Sequence, residues 1–254
     1  MTNWIGIYTM IRREIERTMR VMVQTLVAPV ISATLYIFIF GHVIGSKISL
    51  IAGVPYITFV FPGILMLSII NASFGSSSSS LYFARFLKSI DEILIAPFSY
   101  LEMIFGFMLG AMLRAVMVSL LILLVGVLFG AVSLIHPFAF LFYVVSVAGI
   151  FSLLGMLVAL WADGFEQLTM LNTFIITPFT YLGGIFYSIA MLPPLAQVVT
   201  RANPFFYFVD GIRNSMTGVS EANTYLGLVI IFGILTTLTV LTVYLFKIGW
   251  RIRS

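Results

Sequence analysis

The chain has 254 residues, 61% of them hydrophobic and 9% charged, with a formal net charge of +4 and no cysteine. A soluble domain carries about 25% charged residues, so this chain cannot cover its surface with water-compatible groups and reads as an integral membrane protein. The missing cysteine excludes disulfides, thiolate metal sites and a cysteine nucleophile. A charge so small and scattered argues against a nucleic-acid partner.

In chain order, the first element is "WIGIYTMIRREIERTMR". Trp4, Tyr8, Ile11, Ile15 and Met19 share one helical face, and Arg13, Glu16, Arg17 and Arg20 share the other. Residues 1–20 are therefore expected to form an amphipathic helix in the membrane interface. It is either a lipid anchor or an anchor that also braces a partner. The apolar run that follows, 21–40, is about as long as a bilayer is thick, so it reads as a span and not as a cleaved signal peptide.

Apolar runs of this length place six spans at 21–41, 56–75, 104–132, 138–161, 168–188 and 224–246, as one transmembrane domain over 1–254. Six spans put both termini on one side. With that side inside, the cytoplasmic cations are Arg12, Arg13, Arg17, Arg20, Arg85, Lys88, Arg114, Lys247, Arg251 and Arg253, against Lys47, Arg201 and Arg213 outside. The asymmetry assigns the termini to the cytoplasm. His42 and His136 end apolar runs, and neither belongs to an H-E-x-x-H arrangement.

Between spans two and three lies "SSSSSLYFARFLKSIDEILIAPFSY". The serines at 76–80 read as the inner end of span two, and 82–97 as a cytoplasmic helix. Phe83, Phe86, Leu87, Ile90 and Leu94 make an apolar stripe opposite Arg85, Lys88 and Glu92, with Asp91 beside them, and Pro97 stops the helix. The segment is a solvated connector or a docking knob. Its length, well beyond the usual handful of residues, favours docking.

Span five, "LTMLNTFIITPFTYLGG", carries Thr169, Thr173, Thr177 and Tyr181 at four-residue steps, with Asn172 and Thr180 close by. Threonine hydroxyls can bond their own helix, which makes such a stripe cheap in lipid. Asn172 and the regularity of the stripe favour a helix seam or a hydrated cleft.

After it, Gly183, Gly184, Pro193, Pro194 and Pro204 break up apolar sequence, so 189–217 is expected as short helices re-entering the outer leaflet. Asp210 and Arg213 stand three apart and are expected to pair, as a functional or a structural contact. A Walker A loop needs a lysine after glycine, and none of Lys47, Lys88 and Lys247 has one. The motifs of intramembrane proteases are missing as well.

This order of parts resembles the membrane subunits of type-2 ABC exporters. They share an interfacial first helix, six spans, a cytoplasmic helix between spans two and three, and a broken outer segment after span five. The most specific likeness is "TPFTYLGGIFYSIAMLPPLAQVVTRANPFFYFVDGIR": a glycine-containing helix end, an aromatic, Leu-Pro, then Asn-Pro and an aromatic-rich turn closing on Asp-Gly-Ile-Arg. The early "VQTLVAPVISATLYIFIFGHVIG" and the "FPG" of span two are similar to a bacterial branch of inner-membrane permeases.

The resemblance implies that Arg85, Phe86, Leu87, Lys88, Asp91 and Glu92 belong to a coupling helix docking on a cytoplasmic ATPase subunit. It implies two permease copies enclosing a path through spans one, two and five, and hence through Asn172, Thr173, Thr177, Thr180 and Tyr181. Two ATPase copies would carry ATP and magnesium, and this chain would bind no cofactor, have no ATPase site of its own and contact membrane lipids. The cargo would be a hydrophobic or amphipathic drug, a lipid-like molecule or a lipid-linked glycan, and Tyr36, Phe38 and Phe40 suit each. Two other classes stand beside this one. An ion-driven transporter needs ionisable groups near the midplane, where Arg114 is the nearest. A non-transporting assembly or signalling factor needs no path at all.

Overall fold

The computed structural model describes residues 4–45, 47–48, 50–96 and 99–252. Pro97, Arg253 and the side chain of His42, all used above, lie outside the described residues. Among the described residues, five helices are long and apolar enough to cross a membrane: Val23–Gly41, Tyr56–Phe86, Tyr100–Leu128, Pro137–Trp161 and Thr224–Ile248. The expected fifth span is a right-handed helical run over 165–181, shorter than these five.

In chain order the helices are α1 (Trp4–Arg20), α2 (Ala28–Phe38), α3 (Tyr56–Phe86), α4 (Ser89–Ile95), α5 (Tyr100–Leu128), α6 (Pro137–Trp161), α7 (Phe165–Leu171), α8 (Thr177–Tyr181), α9 (Pro194–Ala202), α10 (Pro204–Thr217) and α11 (Thr224–Ile248). Between α2 and α3 lies a two-stranded hairpin, β1 (Leu50–Ile51) and β2 (Val54–Pro55), turned by Ala52 and Gly53, both at positive φ. Helices α3 and α6 form the centre, 78% and 72% buried along their apolar stretches, while the first span (Val23–Gly41) and α11 are 22% and 17% buried. The outer pair thus offers its surface to lipid or to a partner.

Close approach explains the central pair. A Cβ at Gly155 of α6 would fall 2.1 Å from the Ser77 hydroxyl and 2.7 Å from the Phe74 carbonyl, so only glycine lets α6 rest on α3. Phe59, Phe61, Phe74, Phe151 and Phe208 are each almost fully buried, and the rings of Phe151 and Phe208 meet edge to face. At 31 residues α3 is about 46 Å long, well beyond a hydrocarbon core of about 30 Å. Its serine-rich part continues the helix, and the hydroxyls of Ser77 and Ser79 bond back to Phe74 and Gly75.

Helix α1 is more than a lipid anchor. Trp4, Tyr8 and Met19 face outward as expected, but a separate stripe, Gly6, Met10, Glu14 and Thr18, is buried. Two glycines one turn apart on α5 receive it: a Cβ at Gly106 would meet Met10, and one at Gly110 would meet Glu14 at 2.6 Å. On its exposed side, Arg12 donates to Glu16 one turn on (2.9 Å), which raises the Arg12 pKa.

Candidate functional site

The connector between α3 and α5 departs from one helix over 82–97. Helix α3 runs to Phe86, the chain turns at Leu87 and at Lys88 (φ 56°), and α4 begins at Ser89. Arg85 does not stand on an outer charged face. Its guanidinium donates to the carbonyls of Ala159, Leu160 and Ala162, where α6 ends and its last carbonyls lack helical partners. The predicted apolar stripe divides for the same reason: Ile90 is buried, while Phe86 and Leu87 are 69% and 68% exposed. Lys88, Asp91 and Glu92 are exposed beside them. Asp91 and Glu92 occupy the first turn of α4, where carboxylates complement the helix dipole.

The polar stripe lies on the helical run 165–181. Its middle, Asn172–Ile176, is a π-turn, and Pro178 stands two residues beyond. The first span repeats the device, with a π-turn at Val23–Val27 and Pro29 two residues on. Proline supplies no N–H to the carbonyl four residues earlier, and one turn of wider helix accommodates the loss. Thr169 and Thr173 are exposed, Thr177 is half-buried, and Thr180 is buried with its hydroxyl on the Ile176 carbonyl (2.6 Å). The Tyr181 and Tyr36 hydroxyls meet at 3.4 Å, and Phe186, which the sequence reading did not single out, packs against Tyr36, Tyr181 and Phe40. Phe38 is instead half exposed.

The inner half of the stripe borders a cleft. Thr169 and Asn172 face Gly75, Ser78 and Ser79 of α3 across a cavity of ≈ 130 Å³. The Asn172 side-chain oxygen is buried with no hydrogen-bond partner, and so is that of Asn71, one turn from Gly75 on α3. A buried amide oxygen left unpaired is costly unless water or a ligand supplies a donor. The structure brings Asn172 and Thr169 to this cleft and Tyr181 to an aromatic seam with α2, while Thr180 is bonded within its own helix.

Beyond 181 the chain is broken as its glycines and prolines suggest. Gly184 sits at φ 81°, and a Cβ at Gly183 would press on the Phe205 backbone. Pro193 and Pro194 open α9, and Pro204 opens α10, where Asn203 caps the Phe205 N–H and donates to the Phe179 carbonyl. Asp210 and Arg213 make no direct ion pair or hydrogen bond, although the Asp210 charge is near enough to favour the charged form of Arg213. The turn after α10 brings three donors onto Asp210: the Ser220 hydroxyl and the N–H groups of Glu221 and Ala222. Arg213, fully buried, donates to the carbonyls of Phe59 (3.2 Å) and Gly184 (2.5 Å) and lies 3.9 Å over the Phe59 ring. Its ionic partner is Glu221 at 3.8 Å, which also accepts from Ser188 and from the Ile189 N–H. Glu221 was not a sequence candidate, because nothing local links it to Arg213.

Residues 6–217 match the family model described as ABC-2 type transporter. The chain is 36% identical over 232 residues to the inner membrane transport permease YadH of Escherichia coli (strain K12), covering 90% of each chain. It is 25% identical over 239 residues to nodulation protein J of Neorhizobium galegae, covering 92% of this chain and 90% of that one. Nodulation protein J of Rhizobium meliloti is 26% identical over 221 residues, with 85% and 82% covered. The chain belongs to the ABC-2 type transporter family. It is the transmembrane subunit of an ABC transporter and a multi-pass inner-membrane protein, in a family that generally works with a cytoplasmic ATPase subunit.

Proposed function

We propose that two copies of this chain form the path of an ATP-driven exporter, with both termini in the cytoplasm and 165–181 as a sixth span. ATP and magnesium would be held by two cytoplasmic ATPase subunits, which dock on Phe86, Leu87, Lys88, Asp91 and Glu92. Arg85 holds that loop to α6 and does not touch the ATPase in this reading. The observation that carries the proposal is an exposed apolar pair, Phe86 and Leu87, with the exposed charges of Lys88, Asp91 and Glu92 following it in the chain. Interface energy concentrates in such anchors, while rim charges steer and select. Helix α3 is also the most deeply packed span, so a push on its end would move the centre of the bundle as one body.

The uncharged cleft of Asn172 and Thr169 and the aromatic seam of Tyr36, Tyr181 and Phe186 suit an amphipathic cargo, whether drug, lipid-like molecule or glycan. Co-purification of the cognate ATPase with Phe86→Ala and Leu87→Ala variants tests the docking, with ATPase-dependent transport in proteoliposomes as the second readout. Both variants should lose the ATPase while inserting normally. Full complex and full coupled transport in both would reject the docking role.

A further inference from the structure

Where α1 crosses the end of α3, the two helices and the start of α4 enclose a cavity of ≈ 380 Å³. One wall carries Arg13, Arg17 and Arg20 of α1, and the other carries the hydroxyls of Ser80 and Ser89 beside Phe83 and Leu87. Two carboxylates also reach it. Glu14 is 2% exposed and already engaged by Arg17 (2.9 Å) and the Ser80 hydroxyl (2.5 Å). Glu16 is paired with Arg12 at 2.9 Å. Arg13 has only a looser approach to Glu14, at 3.5 Å, and Arg20 has no ion-pair partner among the described residues. With Glu16 paired to Arg12, the three guanidinium groups of Arg13, Arg17 and Arg20 share the single carboxylate of Glu14, so the cavity keeps an excess of positive charge.

Depth decides what can reach them. The outward Trp4, Tyr8 and Met19 set α1 in the interfacial plane, and the apolar span begins at Val23. The guanidinium groups thus lie at headgroup level, with exposed apolar Phe83 and Leu87 forming the opposite rim. We propose that this cavity binds the phosphate of an anionic phospholipid, with Arg13 and Arg20 on the phosphate oxygens and Phe83 against the glycerol and upper acyl chain. A guanidinium fork matches a phosphate in geometry and charge, and the apolar rim favours a lipid phosphate over a soluble one. The site stands whether or not the neighbouring loop docks an ATPase.

The test titrates the purified full chain, in neutral detergent, with phosphatidylglycerol and with phosphatidylcholine of the same acyl chains, and counts bound lipid by native mass spectrometry. One phosphatidylglycerol per chain should bind in preference to phosphatidylcholine. Arg13→Gln with Arg20→Gln should weaken it about ten-fold or more, the ratio expected for losing even one charge-assisted hydrogen bond. Ser89→Trp, which fills the cavity and leaves every charge in place, should do the same and decides alone if the double variant misfolds. Lys247→Gln, a charge removed elsewhere, should change nothing, and millimolar inorganic phosphate should not displace the lipid. Equal binding of the two lipids, equal loss in Lys247→Gln, or full binding in Ser89→Trp would each overturn the site. Displacement by inorganic phosphate would overturn the lipid as its occupant.

Discussion

Replacing Arg213 with methionine removes a fully buried guanidinium and keeps most of its apolar stem. Two hydrogen bonds from a charged donor are lost, to Phe59 and Gly184, with the ion pair to Glu221 and the stacking on Phe59. Charged hydrogen bonds contribute about 1.5–3 kcal/mol each, and stripping one partner from a buried pair costs about 3–5 kcal/mol. These contributions share one side chain and do not add, so the expected loss is about 3–5 kcal/mol. Unfolding in mixed micelles by added SDS, followed through tryptophan fluorescence, measures it. The double variant with Glu221→Gln should lose less than the sum of the singles, because the carboxylate is no longer left buried without its cation. Exchanging the charges, Asp210→Arg with Arg213→Asp, should not restore stability, since each residue is held by backbone groups of the wrong sign for its replacement. An Arg213→Met variant within about 0.5 kcal/mol of the parent, the range of an ordinary surface substitution, would refute the reasoning.

Gly110→Leu should drive α1 off α5, because its side chain would occupy the space of the Glu14 methylenes; increased protease cleavage within 4–20 in otherwise intact protein would report it. With no native cysteine, Lys47→Cys should react with an impermeant maleimide from outside and Glu92→Cys only from inside, and the reverse pattern would invert the proposed orientation. Thr173→Trp should block transport or uncouple it from ATP hydrolysis without preventing assembly, and normal coupled transport would remove the exposed part of the stripe from the path.

The apolar runs were legible because span length is set by the bilayer and needs no knowledge of neighbours. Helices 56–86 and 137–161 were found on that basis, although α3 runs on past 75 because serine, phenylalanine and arginine there continue a helix once it is packed. What the chain order hides is the choice of partner. Asp210 and Arg213 are neighbours on a helix, yet the donors that win Asp210 come from 220–222 and the acceptors that win Arg213 from two other segments. Arg85 looks like a solvated cation until the end of α6 is placed beside it. Glu14 belongs to neither of the two faces read from α1, because its burial depends on a glycine of α5. Pro29 and Pro178 were visible, but whether a proline kinks a helix or widens one turn depends on packing.

Under the proposed coupling, the contacts of the two arginines divide the molecule into a stiff and a compliant part. Arg85 ties the inner end of α3 to the carbonyls closing α6, and Arg213 ties the opposite end of α3 to the re-entrant segment. A displacement applied at Phe86 and Leu87 would therefore reach α6 and the re-entrant segment together, with α3 as the connecting rod. The first span and the run 165–181 are built otherwise: each has a π-turn next to a proline, where the helical ladder is already interrupted and bending costs least. These are also the two elements that meet at Tyr36 and Tyr181. At 3.4 Å the approach of those hydroxyls is long for a bond between them, so little would hold it when the stiff part moves and the compliant part lags. Opening there would join the aromatic seam to the cleft of Asn172 on the same helical run, which is the continuity a transport path through this chain requires.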